Sequence, residues 1–165
     1  MPLKNLQCFL MLLLSASSFS QNSFHKISAY VGIMHPIVTI NKDETTLNFR
    51  DYYAVGVPVG VNLWKNEKIG FSFEVVPNIK DDQGSSKVTN LLFHPGILAT
   101  LGKGYTFAGR AAFESSGRYG FTPVLSKIVL KGPNCSYFLA LPLPVRFGNG
   151  HPASFTAGFQ VGISF

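Results

Sequence analysis

The sequence predicts an all-β chain: an eight-stranded antiparallel up-and-down β-barrel that spans a membrane, preceded by a cleaved export signal. Three observations predict it. Apolar residues recur at every second position through most of the chain, and no segment after residue 20 holds a clean 3.6-residue apolar stripe. The 165 residues include 16 Gly and 10 Pro, both of which weaken helix interiors. Charged residues are only 13% of the chain, against roughly 25% in soluble domains. With 46% apolar residues, the chain also lies outside the compositions that stay disordered.

Residues 1–20 read as a signal peptide. Lys4 is its positive start, Cys8 to Leu14 (CFLMLLL) its apolar run, and Ser18 and Ser20 the small residues before a cut at Gln21. The apolar run is far shorter than the roughly 20 residues a spanning helix needs. Residues 21–165 then form the barrel domain, with Cys135 as its one cysteine, so packing and hydrogen bonds must hold it without a disulfide. The formal charge of the whole chain is +6. Its Lys and Arg residues are scattered with no basic run, which speaks against a nucleic-acid partner.

The strands follow in order. Segment 26–40 is irregular. In 54–64, Val55, Val57, Val59, Val61 and Leu63 alternate with Gly56, Pro58, Gly60, Asn62 and Trp64. In 69–76, Ile69, Phe71, Phe73 and Val75 alternate with Gly70, Ser72 and Glu74. Segment 89–101 is noisier. In 105–114, Tyr105, Phe107 and Phe113 oppose Thr106, Arg110 and Glu114. Segment 119–130 is again noisy, and 136–147 sets Tyr137, Leu139, Leu141, Leu143, Val145 and Phe147 against Ser136, Ala140 and Arg146. The last strand is the most regular: Phe155, Ala157, Phe159, Val161, Ile163 and Phe165 on one face, Ser, Thr, Gly and Gln on the other. The connections fall at 41–51, 65–68, 80–88, 102–104, 115–118, 131–134 and 148–153. Short turns thus sit at one end and mostly longer loops at the other, as in a meander.

Which face meets which medium decides between a soluble and a membrane barrel. In a soluble, lipocalin-like barrel the second face of each strand meets water and should carry Lys, Glu and Asp. In 54–64 and 154–165 that face carries no charge. Its small residues suit a lumen only just wide enough for side chains. The bulky apolar face would overfill that lumen and belongs against lipid, where a closed barrel leaves no backbone group unpaired. Tyr52, Tyr53, Tyr105, Tyr119 and Tyr137 fall near strand ends, where aromatic girdles belong.

With its export signal, its dyad strands and the closing FTAGFQVGISF, the chain resembles the small Gram-negative outer-membrane β-barrels of the OmpA/OmpX type, within the porin-like class. The resemblance implies that Phe165, with Ile163, Val161, Phe159 and Phe155 at alternate positions before it, is the assembly signal read by the barrel-assembly machinery. It implies a place in the cell outer membrane among outer-membrane lipid, with the termini and short turns in the periplasm. It also implies a non-enzymatic structural role, or surface contact through extracellular loops, 41–51 and 80–88 foremost; a small channel or transporter for small solutes is the alternative. A monomer is expected. One departure stands out: Pro58, Pro77, Pro95, Pro123, Pro142 and Pro144 fall in or near strands, and each lacks a ladder donor. The pair in LALPLPVRF puts the register of the seventh strand in question.

The residues with chemical potential are few. Glu74, Arg110, Glu114 and Arg146 share the inward phase and are expected to pair in a polar network that fills the lumen. A gated polar path for solutes is the sharper reading of the same four. His25, His35, His94 and His151 show no metal-ligand spacing, so neither metal nor cofactor is expected. His151, Ser154, Asp51, Asp81 and Asp82 lie near the outer loops without forming a motif, and no catalytic residue is assigned.

Overall fold

A computed structural model describes residues 24–82 and 84–165; the expected signal peptide lies outside them. The chain folds as a single antiparallel meander that closes on itself. β1 (Lys26–Asn41) pairs with the last strand, β11 (Ser154–Ser164), from Tyr30↔Ser164 to Asn41↔Ser154. Between them run β5 (Ile69–Asp82), β6 (Ser85–Gly102), β7 (Tyr105–Glu114) and β8 (Tyr119–Lys131), each paired with its sequence neighbour. The second and seventh walls of the ring are segmented: β2 (Thr45–Leu47), β3 (Tyr53–Gly56) and β4 (Val59–Trp64), then β9 (Ser136–Pro142) and β10 (Val145–Phe147). Counting each segmented wall once gives a ring of eight strands. Both described termini lie at one end, where Ala29 and Phe165 exchange backbone hydrogen bonds of 2.8 and 2.9 Å.

The two faces of the wall sort as the alternation predicts. Val59, Val61, Phe71, Phe73, Phe93, Ile97, Phe107, Phe113, Phe121, Leu125, Leu139 and Leu141 are exposed on the outside. So are Phe155, Phe159, Val161 and Phe165; Ile163, on the same face, is half-exposed. Inside lie Ser72, Glu74, His94, Arg110, Thr122, Arg146 and Gln160, all buried. This is the reverse of a soluble core, in which such polar groups are the exposed ones.

The interior is less uniformly small than the alternation suggests. Tyr30, Leu92, Leu98, Trp64, Val124 and Phe138 also point inward. The rings among them fit because each packs over a glycine of the next strand, Tyr30 over Gly60, Trp64 over Gly70 and Phe138 over Gly162. A Cβ on Gly60 would collide with the Tyr30 ring, and one on Gly162 with the Phe138 ring. Glycine at these two sites is a packing requirement, since Tyr30 and Phe138 occupy the space any side chain would take.

Three expectations about the connections are corrected. Segment 80–88 is no long loop: β5 and β6 stay paired up to Asp82↔Ser85. The segment 41–51 contains β2, hydrogen-bonded to β1 from Ile40↔Thr45 to Val38↔Leu47. Both stretches carry polar residues on both faces, so the apolar alternation fades while the backbone ladder persists. The prolines do not shift the seventh wall. Ala140↔Gln160 and Val145↔Phe155 keep one step with β11, and Pro142↔Val124 and Val145↔Phe121 keep one step with β8. The carbonyls of Pro123 and Pro144 still accept, from Leu143 N at 2.9 Å and Thr156 N at 2.8 Å. Gly158 faces Pro142, leaving room for its ring.

Candidate functional site

The interior divides into a polar plug, a capped end opposite the termini (the outer end of the ring) and an open vestibule. β5 and β7 set the plug, because alternation turns Glu74 and Arg110 inward on facing sides of a narrow lumen. Glu74 is 3% exposed and Arg110 7%. Tyr30 Oη donates to Glu74 Oε2 at 2.7 Å and accepts from Arg110 Nη2 at 2.9 Å. Arg110 Nη1 lies 3.4 Å from the same Oε2, and its Nη2 reaches Ser72 Oγ at 3.3 Å. The second pair sits nearer the outer end: Arg146 Nε donates to Glu114 Oε1 at 2.9 Å, and Ser116 Oγ to Glu114 Oε2 at 2.9 Å.

His94 joins the two pairs. Its Nδ1 is 2.9 Å from Glu74 Oε1 and its Nε2 is 2.9 Å from Thr122 Oγ1. An ionised carboxylate only accepts, so Nδ1 carries the proton and Nε2 of the neutral ring accepts. Thr122 then donates to Nε2 while accepting from Arg146 Nη1 at 3.0 Å. Arg146 Nη2 also approaches Nε2, at 3.4 Å. Every proton in this chain has one consistent direction, and two carboxylates balance two guanidinium groups.

The sequence of carboxylate, imidazole and hydroxyl in Glu74, His94 and Thr122 is one that nucleophilic enzymes use. Here Thr122 is 1% exposed and held by Arg146. The space beside it is about 20 Å³, room for about one water and for no substrate. The arrangement fixes the imidazole and fills this part of the lumen with paired side chains.

Of the four network residues read from the sequence, the structure brings Glu74 to Arg110 and Glu114 to Arg146. Tyr30, His94, Thr122 and Ser72 complete the network and were missed. Tyr30, His94 and Thr122 lie in the three segments whose alternation is blurred. The signal for His94 is its place one step from Gly96 and opposite the outward Phe93. Ser154 faces inward and accepts from Arg118 Nη2 at 3.0 Å, whereas His151 is exposed in the 148–153 turn; among the described residues no hydrogen bond joins them. Arg118 also reaches the carbonyls of Pro152 (3.2 Å) and Arg146 (3.4 Å), tying that turn across the outer end. At the outer rim, Arg50 Nε donates to Asp51 Oδ1 at 2.8 Å. That hydrogen bond, with one from Leu47 N, holds the Asp51 carboxyl below the usual carboxylate range. Among the described residues no group of three potential metal ligands forms.

The vestibule opens at the end that carries the termini. It is a cavity of about 650 Å³ that runs in to Tyr30, Arg110 and Gln160. Aromatic residues mark both rims of the outer wall: Tyr53 and Tyr119 at one end, Tyr105 and Tyr137 at the other. Lys127 Nζ lies 4.6 Å over the Tyr105 ring.

No protein-family model and no curated protein matches this chain. Among solved structures it is similar to the solution NMR structure of the de novo designed TMB2.3, with a TM-score of 0.51 at 9% identity, over 88% of this chain and 96% of that one. A structure from the de novo design of transmembrane β-barrels gives a TM-score of 0.47 at 11% identity, over 84% of this chain and 93% of that one. At 9% identity the likeness to TMB2.3 is one of fold alone; the fold of this chain is an antiparallel up-and-down ring of eight strands.

Proposed function

We propose that the chain is an integral outer-membrane β-barrel protein, non-enzymatic, whose roles are lipid-embedded structure and surface contact through its outer end. The observation that supports this reading is the inversion of polarity across the wall. Glu74, His94, Arg110 and Arg146 are buried, while Phe71, Phe73, Phe93, Phe159 and Val161 are exposed. Water would penalise that outer belt; hydrocarbon accepts it. The outer end offers Phe49, 62% exposed and stacked on His35 with ring centroids 5.2 Å apart, as a contact residue in the 48–52 segment. The test is fractionation and gel behaviour. The protein should co-purify with the outer-membrane fraction, migrate differently before and after boiling, and keep its β-structure in detergent but not in plain buffer. A folded, soluble periplasmic pool would defeat the proposal.

A second reading, a small channel, has one observation in its favour. The vestibule reaches the plug from one end, and Arg110 borders both it and the small space beyond. Planar-bilayer conductance that rises on Glu74→Ala or Arg110→Ala would support it. Electrical silence of the wild type and both variants would eliminate it.

A further inference from the structure

We propose that the vestibule is a binding site for a small organic anion with an apolar body, such as an aromatic or short-chain carboxylate. Its volume of about 650 Å³ is in the range of ligand pockets, which run about 300–1,000 Å³. One part of its wall is apolar and aromatic: Leu98 and Val124 are buried, with Trp64 and Phe138 packed against their cluster; Ser28, Thr106, Ser126 and Gln160 make the rest polar. Its mouth is basic. Lys26, Lys103 and Lys131 border it, all exposed, against one acidic neighbour, Glu67. Lys65 and Lys68 sit in the turn at the same end.

The charge is sorted by compartment. The plug is balanced, with two acidic and two basic groups. The outer end carries Lys42, Arg50, Lys80, Lys87 and Arg118 against Asp43, Glu44, Asp51, Asp81 and Asp82. The net positive charge of the described barrel therefore resides at the vestibule end, where it concentrates anions at a low-dielectric mouth.

The inner end of the vestibule is polar. Arg110 Nε and Asn62 Oδ1 are buried without a hydrogen-bond partner, and both residues line this cavity. Both atoms are covered by protein and are not open to an occupant, so they take no part in binding. Because the charge of Arg110 is already met by Glu74, the anionic group itself belongs at the lysine mouth, with the apolar body along Trp64 and Phe138. The site lies inside the barrel and is the same whichever compartment it faces.

Trp64 is the one tryptophan of the sequence, so its emission reports on this cavity alone. The intact barrel in nonionic detergent is titrated with 2-naphthoate, with the neutral 2-naphthamide as control. Saturable quenching by the carboxylate is expected, with the amide binding about tenfold more weakly. Lys26→Gln/Lys103→Gln/Lys131→Gln should weaken the carboxylate to the level of the amide and leave amide binding unchanged, which also shows that the cavity is intact. Raising the salt concentration should weaken the wild-type carboxylate only. Quenching that never saturates, equal affinity for acid and amide, or a triple variant that binds the acid as before would each overturn the proposal.

Discussion

Replacing Glu74 by Gln tests whether the plug is as dry as its geometry implies. The carboxylate receives Tyr30 Oη at 2.7 Å and His94 Nδ1 at 2.9 Å, and opposes Arg110 at 3.4 Å. Gln keeps the volume and one acceptor, but its amide NH₂ must replace the other. His94 can adapt by moving its proton to Nε2 and donating to Thr122, so most neutral hydrogen bonds survive. What cannot adapt is the Arg110 charge, 7% exposed and, among the described residues, paired with no other carboxylate. Stranding one member of a buried pair costs about 3–5 kcal/mol. Glu74→Gln belongs at the low end of that range, and Glu74→Ala, which also opens a cavity, at the high end. Adding Arg110→Met removes the stranded charge and should recover more than half of the loss. The assay is equilibrium urea unfolding in lipid vesicles, followed by Trp64 emission. A cost below about 1 kcal/mol for Glu74→Gln, the range of exposed pairs, would refute a dry plug and mean that water screens these charges.

On the outer wall, Val59→Arg or Phe159→Arg should cost about 2–4 kcal/mol in vesicles if these positions meet the hydrocarbon midplane; Gly60→Val should instead act by displacing Tyr30, and equal losses in detergent and lipid would identify that steric origin. Pro144→Ala restores a ladder donor and should change stability by no more than about 1.5 kcal/mol, with the β10–β11 pairing unchanged by hydrogen exchange. Deleting Phe165 should slow assembly into the membrane in cells while leaving refolding in detergent nearly normal; normal assembly would remove the terminal signal from the account. Asp51 should titrate below ordinary carboxylates by NMR, so its link to Arg50 and Leu47 persists through mild acid and is lost only as pH falls through that lowered value; an ordinary titration would contradict the rim geometry.

The sequence shows the ring more clearly than the plug, for a physical reason. A lipid-facing wall demands apolar side chains at every second position, and that demand writes a readable pattern in 54–64, 69–76 and 154–165. It writes Glu74, Arg110, Glu114 and Arg146 too, since a charge among apolar neighbours has only one tolerable side. Tyr30, His94 and Thr122 leave no comparable trace. Inside, the constraint is the fit of one side chain over its neighbour, Tyr30 over Gly60 or Phe138 over Gly162, and such pairs are distant in sequence. The loops failed differently. Lys80–Asp82 and Ser85–Lys87 keep a backbone ladder where both faces are polar, so hydropathy has nothing to alternate. The vestibule was invisible, because it arises where residues from most of the ring strands stop short of one another.

The prolines show which interaction governs register. Each proline removes one ladder donor, a net loss of about 0.5–1.5 kcal/mol, and Pro142 and Pro144 concentrate two such losses in the seventh wall. A one-residue slip of β10 would regain nothing at those positions and would turn every side chain to the opposite face. Arg146 would leave Glu114, Thr122 and His94 for the outer surface near the rim, where exposure to lipid costs only about 0–1 kcal/mol, but Glu114 would be stranded at about 3–5 kcal/mol. Val145 and Phe147 would at the same time be forced inward, where Gly120 already packs against the β10 backbone. The penalty for slipping thus exceeds that of both missing donors, so one buried arginine outweighs two prolines in setting the strand's position. Closure of the ring adds to this, because a wall held on both sides, by β8 and β11, cannot slip without breaking two ladders.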